Sequence, residues 1–283
     1  MLVELAIGDA YGAGFEYASN SIVRECNDLS RYIQHPRHGT APGNYTDDTQ
    51  MSIAIAEAVV AGDPWTPLAL ASRFVSAFSR DPREGYASRF FAFLEQVRDG
   101  AEFVATIQPH SDKSGAAMRA CPIGVFPSIT EVIDRCTTQA RLTHDTPDGI
   151  NAAVAASLMT HYFLYRVGPK AQLPEFLLSY VAGPWATSWT GKVGAKGMMS
   201  VHAAITALVS HDSMTSLLRA CIDYTGDVDT VATIALGAAA GSIEYEQDLP
   251  GHLFAGLEDG PYGRTFLAEL DAQLLSRVGA GSG

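Results

Sequence analysis

The sequence predicts an all-α fold, a compact single-domain multi-helix bundle, and three observations carry that expectation. Ala and Leu are abundant among the 283 residues, apolar positions recur at helical spacing, and strand-like alternation of β-branched residues is hard to find. Hydrophobic residues make up 47% of the chain and charged ones 18%, a balance that excludes disorder and leaves enough apolar surface for a sizeable core. The four cysteines, Cys26, Cys121, Cys136 and Cys221, are far apart with no C-x-x-C spacing. They read as reduced thiols, so neither a disulfide framework nor a thiolate zinc site holds the fold together.

The opening stretch, Met1–Tyr17, carries Glu4, Asp9 and Glu16 and no basic residue, unlike a secretory leader. Helices are then expected over Asp48–Ala61, Pro67–Ser79, Glu84–Val97, Ser128–Ala140, Gly149–Arg166, Gly191–Val209, Thr230–Ser242 and Gly263–Val278. Pro64, Pro67, Pro82, Pro169 and Pro174 punctuate them as helix grammar requires. Within Gly149–Arg166, Ile150, Val154, Leu158 and Met159 form one stripe, and the Ala and Ser between them let helix axes approach closely. No repeat suggests a solenoid and no linker divides the chain, so one domain over residues 1–278 is expected, followed by a disordered tail at 279–283. No apolar run reaches the ~18 residues of a membrane helix, and a cytoplasmic monomer is the expectation. The 19 basic against 31 acidic side chains give a formal charge of −12, which argues against general nucleic-acid binding.

The acidic residues are not evenly spread. Tyr45-Thr46-Asp47-Asp48-Thr49-Gln50-Met51 leads straight into an Ala-rich helix, and Gly226-Asp227-Val228-Asp229-Thr230 precedes another. One reading is helix capping, in which Thr and Asp accept unpaired backbone N–H groups and complement the helix dipole. Capping accounts for one carboxylate at each site and leaves the second unexplained. The other reading is a cation site, where convergent carboxylates and hydroxyls relieve their repulsion on a metal. Hard oxygen donors suit Mg²⁺, Mn²⁺ or Ca²⁺ rather than zinc or copper, and four carboxylates favour two metals sharing a bridging Asp. A third segment, Gly8-Asp9-Ala10-Tyr11-Gly12-Ala13-Gly14-Phe15-Glu16, has closely spaced glycines. They point to tight helix packing and then a turn that aims Glu16 inward, with Asp9 as a structural residue.

Taken together, GDAYGAGFE, TDDTQM and GDVDTVATIALGAAAG resemble the ADP-ribosylglycohydrolase family, which includes the dinitrogenase-reductase-activating glycohydrolase and the J1 crystallins. Ser114–Gly124 resembles the family's Gly-Asn-Gly-x-x-Met-Arg-x-x-Pro-hydrophobic-Gly stretch, and Leu142-Thr143-His144 its Thr-His segment. The five matches run in the family's order from residue 8 to residue 242. The resemblance implies an all-α bundle of the ADP-ribosylglycohydrolase type with two Mg²⁺ or Mn²⁺ ions at the bottom of an ADP-ribose cleft. It implies metal ligands at Thr46, Asp47, Asp48, Asp227, Asp229 and Thr230, and a gating or metal-binding carboxylate at Glu16. Ser114, Gly115, Met118 and His144 match positions that contact ADP-ribose, and Asp112 matches a carboxylate near the distal ribose.

Three positions depart from the pattern: Ser114 stands for Asn, Lys113 for the preceding Gly, and Thr225 for the first Gly of Gly-Gly-Asp. Lys113 could pair with the pyrophosphate or point to solvent, while Thr225 adds a side chain beside the metal cluster. No ligand carboxylate is lost. The implied activity is hydrolysis of the glycosidic bond between ADP-ribose and a protein side chain, foremost arginine. Asp47 or Asp48 would orient the water and Glu16 would serve as acid toward the leaving group. The competing expectations are a catalytically silent ADP-ribose-binding or crystallin-like protein, and a metal-dependent phosphohydrolase acting on the pyrophosphate.

Elsewhere His35-Pro36-Arg37-His38 reads as a solvated loop, and Trp185 and Trp189 as packing residues. Gly191-Lys192-Val193-Gly194 lacks the G-x-x-x-x-G-K-[ST] pattern of a phosphate loop, and no G-x-S-x-G elbow is present.

Overall fold

A computed structural model describes residues 1–278, and the tail expected at 279–283 lies outside them. The described residues form fifteen α-helices and no sheet, only isolated backbone bridges between loops. The first half of the chain holds α1 (Leu2–Ala13), α2 (Asn20–Cys26), α3 (Asp47–Ala61), α4 (Pro67–Arg80), α5 (Ser88–Gln96), α6 (Gly100–Thr106) and α7 (Gly115–Met118). After a 3₁₀ turn at Cys121–Val125 come α8 (Ile129–Arg141), α9 (Pro147–Leu164), α10 (Leu173–Leu178) and α11 (Gly197–Ser210). The chain then continues through α12 (Met214–Asp223), α13 (Val228–Ala239), α14 (Gly251–Gly256) and α15 (Arg264–Leu275). Among these residues no helix is long and apolar enough to cross a membrane.

All eight helices expected from the sequence are present, most within three residues of their expected ends. Two start later for reasons that involve distant segments. The helix expected from Glu84 begins only at Ser88. Gly85 has φ +105°, and a Cβ there would lie 2.0 Å from Asp47 Oδ1, so this stretch crosses the start of α3 as a loop. The helix expected from Gly191 begins at Gly197. Residues before it run extended because Val193 N–H donates to Thr225 O at 2.9 Å and Val193 O accepts from Asp227 N–H at 3.2 Å.

Helices α1, α3 and α13 carry the acidic segments, and α9 runs through the interior beside α13. The nearly all-apolar α13 packs against α1, α9, α11 and α12, and α3 packs against α1, α4 and α15. Glycine permits the closest approach. A Cβ on Gly8 would stand 2.7 Å from Ala232 O, and one on Gly12 would stand 2.4 Å from Asp229 Cα. Helix α1 therefore lies directly on the first turns of α13, as the glycine spacing predicts. On α9 the apolar burial goes beyond one stripe: Ala152 through Phe163 are buried all round, the mark of a central helix. Trp185 is 1% exposed with its N–H bonded to Val181 O, so it packs as expected. Trp189 is half-buried, and its indole N–H bonds Gly191 O.

Candidate active site

The caps of α3 and α13 decide between the two readings of the Asp/Thr clusters. Ser19, Thr66, Asp99, Ser128, Thr146 and Ser213 each cap their own helix through a side-chain oxygen. Thr46 and Asp227 occupy the same position on α3 and α13 and make no such bond. On α3 the cap comes from another helix. Asp9 of α1 accepts from the backbone N–H groups of Thr46 and Thr49, both at 2.9 Å, and from their hydroxyls at 2.7 and 2.6 Å. The N–H of Asp47 donates to Glu84 O at 3.1 Å. With these donors satisfied from outside, Asp47 and Asp48 are free of capping duty.

On α13 a tight loop supplies the placement. Gly226 has φ +95°, and a Cβ there would lie 1.8 Å from Val193 O, so only glycine fits. The Tyr17 N–H bonds Gly226 O at 2.8 Å, which ties the Glu16 turn to the head of α13. Thr225 takes φ +60°, a left-handed conformation that a β-branched side chain adopts only under strain. Thr225 thus occupies the loop at a cost in backbone strain.

The two helix starts converge. One oxygen each from Glu16, Asp227 and Asp229 lie within 4.8 Å of one another, as do oxygens from Asp9, Asp48 and Asp229. Asp9 meets the distance test, but its two oxygens already accept four hydrogen bonds. It is therefore better placed to hold Thr46 and Thr49 than to bind an ion. Asp229 belongs to both groups. Asp47 and Thr230 line the same cavity, and the Thr46 hydroxyl faces Asp9.

The electrostatics record the crowding. Burial first, then the Asp47 and Asp9 charges, push Asp48 well above the usual carboxylate range. Burial, then Glu16 and Asp48, do the same to Asp229, and burial, then Asp9 and Glu16, to Asp47. Glu16 rises to about 7 through burial and the Asp227 and Asp9 charges. Asp227 is pushed by burial to about 6, with the Ser200 hydroxyl, 3.0 Å away, offsetting part of the penalty. Asp48 Oδ1 and Asp229 Oδ1 are sealed from solvent with no hydrogen-bond partner among the described residues. A buried acceptor left unmatched costs about 1–3 kcal/mol. Unmatched hard oxygens on adjacent carboxylates are what a divalent cation satisfies, so the residues present fit one.

These carboxylates form the floor of a cavity of about 700 Å³, large enough for a nucleotide-sized ligand. Ser114, Gly115, Met118 and His144 line its walls, as does the exposed Lys113. Asp112 is not among the lining residues. It turns outward to Lys196, 2.8 Å away, whose hydrogen bond holds its carboxyl below the usual range.

Sequence reasoning missed several features. Tyr86, Phe90 and Phe93 form an aromatic wall, whose packing spans α4, α5 and α6. The His35 loop is not simply solvated: His35 is 3% exposed, and its Nε2 lies 2.7 Å from Glu16 O. Its Nδ1 accepts from the N–H groups of Arg37 and His38, so this ring organises the loop behind Glu16. A histidine two and three residues before otherwise unpaired backbone donors was the available signal, but its contact with Glu16 was not.

The family of ADP-ribosylglycohydrolases matches residues 1–282. The chain belongs to that family. This member is 28% identical over 186 residues to the ADP-ribosylhydrolase ARH3 of Xenopus tropicalis, covering 62% of this chain and 53% of that protein. The chain thus spans about half the length of the ARH3 relatives it matches. It is 21% identical over 267 residues to the ADP-ribosylarginine hydrolase Tri1 of Serratia proteamaculans, covering 88% of this chain and 72% of that one. A solved structure titled ADP-ribosylglycohydrolase-related protein complex superposes with a TM-score of 0.73 at 21% identity, over 98% of this chain and 95% of the other. That likeness establishes the all-α fold of the family.

Proposed function

We propose that the chain hydrolyses the glycosidic bond between ADP-ribose and a protein side chain, foremost arginine. Two Mg²⁺ or Mn²⁺ ions would be held by Thr46, Asp47, Asp48, Asp227, Asp229 and Thr230. The observation that carries this reading is the pair of unmatched oxygens, Asp48 Oδ1 and Asp229 Oδ1, at the floor of a nucleotide-sized cavity. Asp229 belongs to both oxygen groups, as a shared ligand would. When bound, the ions supply charge to fix ribose hydroxyls and lower the pKa of an attacking water.

The remaining work falls to the chain. Asp47, on the cavity side of α3, is placed to accept a proton from water or orient it, with Asp48 beside it. Positive charge building at the anomeric carbon is stabilised by the surrounding carboxylates. Glu16 stands on a separate turn from the α3 and α13 ligands and is the candidate acid toward the leaving group. Ser114, Gly115, Met118 and His144 would contact ADP-ribose along the wall, and Lys113 its pyrophosphate.

Arginine is favoured by charge. With Glu16 protonated as the acid, Asp9, Asp47, Asp48, Asp227 and Asp229 bring five negative charges together, and two dications supply only four positive ones. A guanidinium leaving group suits that residue of negative charge better than a neutral serine hydroxyl. The name of the Serratia relative agrees with this choice. The test is incubation with ADP-ribosyl-arginine and ADP-ribosyl-serine peptides, each with and without Mg²⁺ or Mn²⁺. Release of intact ADP-ribose only with metal, faster from arginine, is the expected result. AMP as product would mark a phosphohydrolase, and tight binding without turnover a silent binder; either outcome overturns the proposal.

A further inference from the structure

We propose that Arg119 and Thr143 are positioning residues that hold His144 in its Nε2–H tautomer, so that the cleft wall presents a hydrogen-bond donor at that point. The count of donors and acceptors around the ring forces this assignment. Arg119 is 1% exposed and stacks over Phe74, with no carboxylate partner among the described residues. Its guanidinium donates to Gln139 Oε1 at 2.7 Å, Gly115 O at 2.9 Å, Gln139 O at 3.2 Å and Thr143 Oγ1 at 2.8 Å. A guanidinium can only donate, so Thr143 Oγ1 is the acceptor of that last bond.

The Thr143 hydroxyl has one proton to give. Among the described residues the acceptor in reach is His144 Nδ1, 2.7 Å away. Were Nδ1 protonated, two donors would converge on Oγ1 and the buried hydroxyl proton would have no acceptor. That arrangement is disfavoured by a factor of about 10 or more. The ring is 6% exposed, and burial together with the Arg119 charge holds it neutral, its pKa lowered to about 3. A neutral imidazole with an unprotonated Nδ1 carries its proton on Nε2.

The Nε2 edge faces the cavity wall that Gly115 leaves open. A Cβ at position 115 would lie 3.0 Å from Cε1 and 3.3 Å from Nε2. Nε2 has no hydrogen-bond partner among the described residues, and His144 lines the cavity. The same guanidinium also binds the Gly115 carbonyl, so one buried cation sets both the tautomer and the segment the ring faces. The ligand atom met here must be an acceptor: a phosphate or hydroxyl oxygen, or an unprotonated ring nitrogen. Naming that ligand as ADP-ribose rests on the proposed function; the tautomer does not.

The test is ¹⁵N long-range correlation spectroscopy on the ligand-free protein, with His144 assigned among the eight histidines by loss of its signals in His144→Gln. The expected result is a protonated Nε2 and a pyridine-like Nδ1 shifted by an accepted hydrogen bond. Thr143→Val should abolish that shift and let the Nδ1–H tautomer appear, and Thr143→Ser should restore the wild-type pattern. A protonated Nδ1 in the wild type, or an Nδ1 signal unmoved by Thr143→Val, overturns the proposal. In calorimetry with ADP-ribose, Thr143→Val should bind about 3- to 10-fold more weakly and Thr143→Ser near normally. Equal affinity in all three overturns the ligand-facing half. Failure of every form to bind ADP-ribose would count against the proposed function, while the spectra still decide the tautomer.

Discussion

Replacing Asp48 with Asn should stabilise the ion-free protein and at the same time remove its response to divalent cations. Asp48 is 3% exposed, its Oδ1 has no partner, and oxygens of Asp9 and Asp229 share its 4.8 Å neighbourhood. Without an ion the native state must either keep a buried charge among like charges or hold a proton there. An isosteric amide removes the charge and offers N–H donors to the adjacent carboxylates. Relieving one unmatched buried acceptor is worth about 1–3 kcal/mol. A 283-residue chain unfolds with an entropy of about 0.6 kcal/mol per degree, so Asp48→Asn should raise Tm in chelator by about 2–5 °C. With a dication at about 100 times its Kd, the wild type gains about 2.7 kcal/mol, and the variant should gain little. The variant's lead over the wild type therefore falls by about 2.7 kcal/mol between chelator and excess Mg²⁺ or Mn²⁺, and differential scanning calorimetry reads both.

The sign with pH is also set. Asp48 has a raised native pKa, so the folded state retains a proton that the unfolded chain releases. Its penalty grows as pH rises, and the advantage of Asp48→Asn in chelator should widen between pH 5 and pH 8. A lower Tm for the variant in chelator, or an undiminished cation response, would refute the reasoning.

Three further outcomes are expected from the same geometry. Gly12→Ala should cost about 1–3 kcal/mol by overpacking, because its Cβ would meet Asp229 Cα at 2.4 Å. It should also weaken cation binding in isothermal titration, and an unchanged Tm and titration would contradict the packing account. His144→Gln should flatten the acid limb of stability. The native pKa of His144 is lowered from 6.5 to about 3, so below about pH 6.5 the unfolded chain takes a proton that the native ring refuses. The wild type then loses about 1.4 kcal/mol per pH unit relative to the variant, and urea midpoints running parallel from pH 7 to pH 4.5 would speak against it. Thr225→Gly should stabilise by about 0.5–1 kcal/mol, since the left-handed backbone costs a side chain about 1–2 kcal/mol and glycine's added unfolded-state freedom returns part of that. The φ of +60° is the observation tested, and a destabilised variant with normal cation binding would show that the threonine is not strained there.

What the sequence made legible was local. Asp47-Asp48 and Asp227-x-Asp229 stand immediately before apolar Ala-rich stretches, so the residues that begin α3 and α13 could be named without knowing that the helices meet. The spacing of Gly8 and Gly12 announced a close helix contact, though not that the partner would be Ala232 on one turn and Asp229 on the next. The late helix starts at Ser88 and Gly197 are not legible in the sequence, because nothing within those segments forbids an earlier start. The obstacles are the Asp47 carboxylate against Gly85 and the Thr225–Asp227 loop against Val193.

Tertiary structure alone decided whether the aspartates were caps. The carboxylate that caps α3 comes from Asp9, 37 positions before Thr46, and this frees the two aspartates a local reading would have used up. His35 behind Glu16, Arg119 beneath Gly115 and Thr143, and the outward turn of Asp112 toward Lys196 depend on the same kind of contact. Helix propensity, turn residues and apolar period act over a few neighbouring residues and can be read from them. Which buried donor meets which acceptor is settled only when segments far apart in the chain share one dry interior, because there an unmatched polar atom costs too much to be left to chance.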